Sequence, residues 1–213
     1  VLSLAARGVD LHLITQDPDA TLPAMPGVTQ HVLPFRGTKG YFLNALPLRL
    51  LLNRLRPDLL NAHYASGYGT SARFSGFLPL LLSVWGADVF DFPDESPLKR
   101  RLVCGNLTHA TAIASTSKVM AAQVRRLLHR PDLPVAITPF GVDTAAFCPA
   151  DRSPDDGDLI VGTVKTLHPK YGIDTLLRAF ALLVGEDFLP GLRLLVVGDG
   201  PQRSELEALS GMV

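Results

Sequence analysis

Twenty basic and twenty acidic residues in a chain of 213 give no net charge, so nothing predicts a nucleic-acid partner. A hydrophobic fraction of 47% and a charged fraction of 19% are typical of a soluble globular protein with a substantial core. The longest uncharged apolar run, residues 74–87, is shorter than the ~18 residues that a membrane span needs.

Eight short apolar runs separated by helical patterns predict an α/β fold. The runs are continuously apolar rather than alternating, which is typical of a parallel sheet covered on both faces. Strand–helix alternation of this kind predicts a doubly wound, Rossmann-like domain. The predicted strands are Leu11–Thr15, Val28–Leu33, Asp58–Ala62, Pro79–Val84, Ala110–Ala114, Pro134–Thr138, Leu159–Val164 and Arg193–Gly198.

The segment Phe42–Arg56 is apolar and basic and contains no acidic residue. One interpretation is a surface that lies on an anionic membrane or meets a lipid-linked acceptor. The other is an ordinary helix that packs its leucines inward: Leu48, Leu51, Leu52 and Leu55. Residues 1–150 also carry 14 basic and 10 acidic side chains against 6 and 10 in residues 151–213, which hints at an anionic partner for the first part.

Two further helices are predicted from apolar stripes at helical spacing. One follows Ser115–Ser117, which offers N-caps, and contains Met120, Val124, Leu127 and Leu128. The other contains Ile173, Leu176, Leu177, Phe180, Leu183 and Val184.

Residues 149–158 are polar and contain proline, which predicts a linker between two domains. Only two predicted strands follow it, fewer than a doubly wound domain needs. The opening residues 2–8 resemble the end of a helix that leads into a strand. We therefore expect a first domain over residues 1–150 that lacks its first strand, and an incomplete second domain over residues 151–213.

Several segments, in this order along the chain, resemble family 4 of the glycosyltransferases. They are Leu4–Asp10, Ser83–Val89, Ile137–Asp143, Val161–Leu167, Lys170–Asp174 and Val197–Pro201. The resemblance implies the GT-B fold of two Rossmann-like domains, the first on the acceptor side and the second on the donor side. Phe140 stands where the family usually has Asn, and Trp85 where it often has His.

Lys165 and Lys170 are the candidate ligands of the donor diphosphate. The family commonly has its Arg and Lys one residue later, where this chain has Thr166 and Tyr171, but the separation of five positions is kept. Both lysines follow a strand at its C-terminal end, where ligands bind in doubly wound sheets. The alternative is a pair of solvated loop lysines. The resemblance also implies a nucleotide-sugar loop at Gly198 and Gly200.

Four residues are candidates for the acceptor side, two after the predicted strand Asp58–Ala62 and two after the predicted strand Pro79–Val84. His63 and Tyr64 can bond a sugar hydroxyl, with a buried histidine bonded to the backbone as the alternative. Trp85 can stack on a sugar or lipid-linked acceptor or pack in a core. Asp88 can accept a hydrogen bond from an acceptor hydroxyl or cap a helix.

The resemblance implies a retaining glycosyltransferase that moves a sugar from a nucleotide-sugar donor to a glycan or lipid-linked acceptor. No catalytic residue, metal site or cofactor is predicted, since the nucleotide sugar is a substrate. The chain is expected to be cytoplasmic, with peripheral contact at the inner face of the membrane left open, and inactive by itself. Two alternatives remain: a non-catalytic glycan-binding module, and a nicotinamide-dependent oxidoreductase. The oxidoreductase motif requires a third glycine, and this chain has none at the required position after Gly198-Asp199-Gly200.

Overall fold

The structure is a computed structural model that describes residues 2–20, 26–149, 159–185 and 191–211. The chain divides into two compact units, Val1–Gly141 and Val142–Val213. The predicted linker lies outside the described residues except for Pro149. Within the described ranges, no helix combines the length and the apolarity that crossing a membrane requires.

Strands are present at all eight places where the apolar runs predict them. In the described part of the chain they are β1 Leu11–Thr15, β2 Val28–Val32, β3 Leu60–His63, β4 Leu80–Val84, β5 Ala112–Ser115, β6 Ala136–Ile137, β7 Ile160–Val164 and β8 Arg193–Val197. The helices described are α1 Leu2–Ala5, α2 Gly37–Leu43, α3 Ala45–Leu55, α4 Tyr68–Ser75, α5 Pro97–His109, α6 Lys118–Leu128, α7 Ile173–Gly185 and α8 Arg203–Ser210.

All strand pairs described are parallel, which confirms the predicted α/β class. In the first unit, β1 pairs with β2, and a four-stranded sheet has the order β3-β4-β5-β6. Each step of that sheet crosses over through a helix, as parallel neighbours require. Strand β4 is central: Leu80, Leu82 and Val84 are fully buried on one face.

Strand β6 is shorter than the predicted run Pro134–Thr138. Only Ala136 and Ile137 pair with β5, opposite Ala114 and Ser115. Proline has no backbone N–H, so Pro134 cannot donate a hydrogen bond to a neighbouring strand.

Helix α6 shows how the sequence determines the local structure. The Ser117 side chain accepts a hydrogen bond from the Met120 backbone N–H at 3.2 Å, which is the predicted N-cap. Met120, Val124 and Leu127 then face the core of the first unit. The helix ends at His129, whose positive φ of 52° stops the helical hydrogen bonding.

Helices α2 and α3 follow one another with only Asn44 between them. The helical hydrogen-bond pattern continues through this residue, from the Asn44 N–H to the Gly40 carbonyl at 2.9 Å and from the Leu48 N–H to the Asn44 carbonyl at 2.8 Å. Leu48 and Leu52 are buried in a second small core that includes Leu33. The inward-packing interpretation of the segment Phe42–Arg56 is therefore confirmed for these two leucines.

The second unit has one parallel strand pair, β7 with β8, beside α7 and α8. Leu167, Ile173, Leu177, Leu206 and Leu209 form its core. Leu194 and Val196 of β8 pack against that core, whereas Leu195 and Val197 are exposed. The expectation of a sheet covered on both faces is thus wrong for the described part of this unit, where the two helices cover one face.

Candidate functional site

The carboxyl ends of β3, β4 and β6 carry an aromatic cluster formed by His63, Trp85 and Phe140. Parallel strands end at the same edge of a sheet, so residues that follow them meet there. The Trp85 indole Nε1–H donates to His63 Nδ1 at 3.2 Å, and the two ring centroids are 5.4 Å apart. Phe140 lies edge-on to Trp85, with centroids 5.3 Å apart. The structure therefore brings together two of the four predicted acceptor-side residues and adds Phe140.

This aromatic cluster is open to solvent. Trp85 is 49% exposed and Phe140 is 68% exposed, so neither ring packs in a core. Partial burial of the imidazole lowers the pKa of His63 below its usual value of 6.5. A neutral His63 is what the Trp85 hydrogen bond requires, because Nδ1 has to accept. The cluster thus presents uncharged aromatic surface at the edge where sheet ligands bind.

Tyr64 has backbone strain that the sequence does not reveal. Its φ is 79°, in the left-handed region that residues with a side chain rarely adopt. The conformation is held by a hydrogen bond from its N–H to the Ser83 carbonyl at 2.9 Å. Strained residues of this kind cluster at functional sites, where the surrounding structure fixes them.

Asp88 lies inside the protein rather than at its surface, where a bound acceptor would have to meet it. Its carboxylate accepts hydrogen bonds from the backbone N–H groups of Ala65 at 2.7 Å, Gly86 at 2.8 Å and Trp85 at 3.1 Å. These donors belong to the loops that follow β3 and β4, and Asp88 is 0% exposed. Asp88 therefore joins the two loops that carry His63 and Trp85.

The small residues after β3 accommodate a tyrosine of the protein itself. A methyl group at Gly67 would lie 2.7 Å from the Tyr41 ring. Tyr41 contacts Tyr68 edge-on at 5.3 Å, and the Tyr68 hydroxyl lies 3.1 Å from Thr15 Oγ1 at the end of β1. This tyrosine pair was not predicted. Its members are 27 positions apart and share no motif, so no sequence signal joins them.

In the second unit, Lys165 and Lys170 converge on one aromatic ring. Lys165 Nζ lies 4.5 Å from the Tyr171 ring centroid, and Lys170 Nζ lies 5.1 Å from it. The two ammonium groups can be no further apart than the sum of these distances, and both side chains are exposed. The cation–π contacts place both positive charges beside the same ring without neutralising them. Such a pair suits an anion with several oxygens, such as a diphosphate.

Gly198 and Gly200 hold the loop that carries Lys165. A methyl group at Gly198 would overlap the Lys165 carbonyl oxygen, and one at Gly200 would lie 2.5 Å from the Leu167 carbonyl oxygen. The Leu167 N–H in turn donates to the Asp199 carbonyl at 2.9 Å. The structure thus brings the predicted glycine loop and the predicted lysine loop together through close backbone contact.

An α/β fold with parallel strands and with polar or aromatic residues at the strand ends defines the class of Rossmann-like ligand-binding proteins. The sequence profile described as glycosyl transferase 4-like matches residues 1–117, more than half of the chain. The chain belongs to this family, and its fold is consistent with the Rossmann-like N-terminal half of a GT-B glycosyltransferase. The match includes His63, Tyr64, Trp85 and Asp88 but not Lys165 or Lys170.

A particular relative is the D-inositol 3-phosphate glycosyltransferase of Actinosynnema mirum. The two sequences are 28% identical over 251 aligned positions, and the alignment covers 99% of this chain and 58% of that protein. The chain thus spans 58% of the length of the curated relative it matches.

Proposed function

We propose that the complete protein is a retaining glycosyltransferase that moves a hexose from a nucleotide-sugar donor to a glycan or lipid-linked acceptor. Membership of the glycosyl transferase 4-like family supports the transferase class over the oxidoreductase alternative. The observation that carries the donor side is the convergence of Lys165 and Lys170 on the Tyr171 ring. We further propose a cytoplasmic location, where nucleotide sugars are supplied.

The lysine pair stabilises the leaving group in this proposal. The bond between the anomeric carbon and the diphosphate oxygen breaks as the acceptor oxygen bonds to that carbon. The acceptor proton passes to the departing phosphate, so no side-chain base is needed. Negative charge grows on the diphosphate as the bond breaks, and two preorganised ammonium groups stabilise that charge in the transition state.

Trp85 and Phe140 bind the acceptor in this proposal. Exposed aromatic faces contact the apolar C–H faces of sugar rings, and both rings lie at the carboxyl end of the sheet. Asp88 is a positioning residue: it fixes the loops that hold His63 and Trp85 and does not itself touch the acceptor. Tyr64 and His63 supply polar atoms beside the aromatic surface.

The test is steady-state kinetics of Lys165→Ala and Lys170→Ala in the complete protein. We expect each substitution to lower kcat more than it raises the donor KM, because the charge matters most in the transition state. Removal of one oxyanion donor typically costs on the order of 10²-fold, and we expect a loss of that size. Arg178→Ala is the matched control, since Arg178 is an exposed cation on α7 of the same unit.

The results separate the proposal from its alternatives. Lysine variants that remain folded and keep a near-native kcat would contradict the proposed role of the lysines in binding the diphosphate. A wild-type protein that binds glycans but consumes no nucleotide sugar would be the non-catalytic module. Thermal melts of all variants establish that each remains folded.

A further inference from the structure

Helices α4 and α5 of the first unit enclose a hollow of about 530 Å³. It is lined by Arg73 of α4 and by five residues of α5: Arg101, Cys104, Gly105, Thr108 and His109. None of these lining residues is acidic. The volume is within the range of about 300–1,000 Å³ that is usual for small-molecule sites. We call this the α4–α5 hollow.

The α4–α5 hollow lies away from the aromatic cluster. Helix α4 ends at Ser75 and helix α5 at His109, shortly before strands β4 and β5 begin. Arg73 and His109 are therefore near the amino ends of these strands, whereas His63 and Trp85 are at the carboxyl ends. Substrates of doubly wound sheets bind at the carboxyl ends, so the hollow calls for a different ligand.

Gly105 makes room for the guanidinium group of Arg73 against helix α5. A methyl group at Gly105 would overlap Arg73 Nη1 and would lie 2.9 Å from Arg73 Cζ. The Phe74 ring also contacts this guanidinium, with its centroid 5.2 Å from Cζ. The guanidinium group is thus restrained from two sides at the wall of the hollow.

The two arginines of the hollow carry charge that no acidic side chain neutralises. Arg100, the neighbour of Arg101 on α5, pairs with Asp94 at 3.5 Å. Within the described ranges, neither Arg73 nor Arg101 has an ion-pair or hydrogen-bond partner. Residues 96–131 also contain seven basic side chains and no acidic one, so the potential around the hollow favours an anion.

Two polar side chains at the end of α5 narrow the chemistry of the ligand. His109 Nε2 is buried and has no hydrogen-bond partner in the described part of the chain, which is unusual for a buried polar atom. The Thr108 hydroxyl donates to the Cys104 carbonyl at 2.8 Å, so its oxygen is left to accept. The lining therefore suits a ligand that has anionic oxygens and a hydroxyl donor.

We propose that the α4–α5 hollow binds a small soluble phosphate monoester that carries a hydroxyl group. Arg73 and Arg101 donate to the phosphate oxygens, whose spacing matches the donors of a guanidinium fork. His109 Nε2 donates to the same phosphate, and the hydroxyl of the ligand donates to Thr108 Oγ1. This inference does not rest on the proposed transfer reaction, because none of its residues takes part in that reaction.

The experiment uses Cys104, which lines the hollow, as a local reporter. In the full chain, Cys148→Ser leaves Cys104 as the single cysteine. Mass spectrometry follows its modification by methyl methanethiosulfonate, an uncharged reagent, at constant ionic strength. Inorganic phosphate, glucose 6-phosphate and glucose are the probes.

We expect both phosphates, but not glucose, to protect Cys104 in a saturable manner. A probe at about ten times its dissociation constant should slow modification about tenfold, because only the unoccupied protein reacts. Glucose 6-phosphate should bind about fivefold more tightly than inorganic phosphate, through the added hydrogen bond to Thr108.

Two variants test the arginines, and a third is the matched control. Arg101→Gln is expected to weaken phosphate binding at least about tenfold, since it removes a hydrogen bond to a charged group. Gly105→Ala should cause a similar loss with both charges kept, because its methyl group displaces the Arg73 guanidinium while alanine favours the helix. Arg100→Gln removes the same charge from α5 outside the hollow, and we expect a change of less than about twofold, since exposed charges are screened.

Several results would overturn the proposal. They are no protection by either phosphate, equal protection by glucose, unchanged affinity in both Arg101→Gln and Gly105→Ala, or an equally large loss in Arg100→Gln. Protection by phosphatidic acid vesicles alone would assign the hollow to a lipid and would also contradict it. Thermal melts establish that each variant is folded. Lys165→Ala with Lys170→Ala should leave the protection unchanged, so failure of the donor-site proposal and failure of this one are distinguishable.

Discussion

At the scale of single residues, the bond between Trp85 and His63 makes the aromatic cluster sensitive to pH. Trp85 Nε1–H donates to His63 Nδ1, which accepts only while the imidazole is neutral. Partial burial lowers the pKa of His63 from 6.5, so the folded state binds its proton less readily than the unfolded state. The stability that comes from neutral His63 is therefore complete above about pH 6.5 and is lost as the pH falls below it.

The prediction is a fluorescence transition below pH 6.5. Trp85 is the chain's only tryptophan, so its emission reports on this site alone. Protonation of His63 breaks the hydrogen bond and changes the emission, and His63→Gln is expected to remove the transition. His31→Gln is the control, because burial also lowers the pKa of His31, on β2, and it should leave the transition in place. A midpoint above 6.5, or a transition that survives His63→Gln, would contradict the assignment.

Tyr171 contacts both of the lysines that we propose as ligands of the donor diphosphate. The family commonly has a lysine at this position, whereas here Lys170 precedes it and contacts the ring that Lys165 also contacts. A ring that contacts two ammonium groups restrains both side chains while leaving their charge available to an anion. The one-residue shift of both lysines is therefore compatible with the diphosphate role that we propose.

At the scale of elements, the loops that follow β7 and β8 pack closely together, backbone against backbone, because the loop after β8 has glycines at the contact. Gly198 leaves no room for a side chain beside the Lys165 carbonyl, and the Lys165 N–H donates to the Val197 carbonyl at 2.9 Å. At Gly162, inside β7, an added methyl group would have nothing within 4 Å, so this glycine offers a matched comparison.

We expect Gly198→Ala to destabilise the second unit by about 1–3 kcal/mol, the usual cost of forced backbone strain. Gly162→Ala is expected to be neutral or stabilising, by up to about 1 kcal/mol, because alanine restricts the unfolded chain. Urea unfolding followed by far-UV circular dichroism measures both. Equal midpoints for the two variants would show that the loop yields to the added methyl group.

The strands were predictable because burial requires apolar residues, and eight apolar runs match eight described strands within two residues at every end. The conformation of the loops at the candidate site was harder to predict. The φ of Tyr64 and the three backbone partners of Asp88 depend on how two loops meet, which no local pattern encodes. The end of α7 also differs from expectation: Leu183 and Val184 continue the apolar stripe but are exposed. Periodicity reveals which face is apolar, but not what packs against it.

At the scale of the whole molecule, the two units have separate cores of different size. The first unit buries a cluster that includes Leu80, Leu82 and Val84 of β4 together with residues of α5 and α6. Within its described residues, the second unit buries a cluster of five apolar side chains, and most of β7 is exposed. Because local stability follows the burial of apolar contacts, the two units should open with different free energies.

Hydrogen exchange measured by mass spectrometry tests this difference. We expect the amides of β4 and β5 to exchange most slowly, through opening of the whole first unit, and those of β7 to exchange at least tenfold faster. Both sets are hydrogen-bonded in parallel pairs, so the contrast reports on packing rather than on the presence of a bond. Leu82→Ala should then accelerate exchange in β4 and β5, since it removes a fully buried side chain at a typical cost of about 2–5 kcal/mol. Exchange in β7 should stay unchanged in this variant. Equal protection in both units, or acceleration of β7 by Leu82→Ala, would mean that the two cores unfold as one.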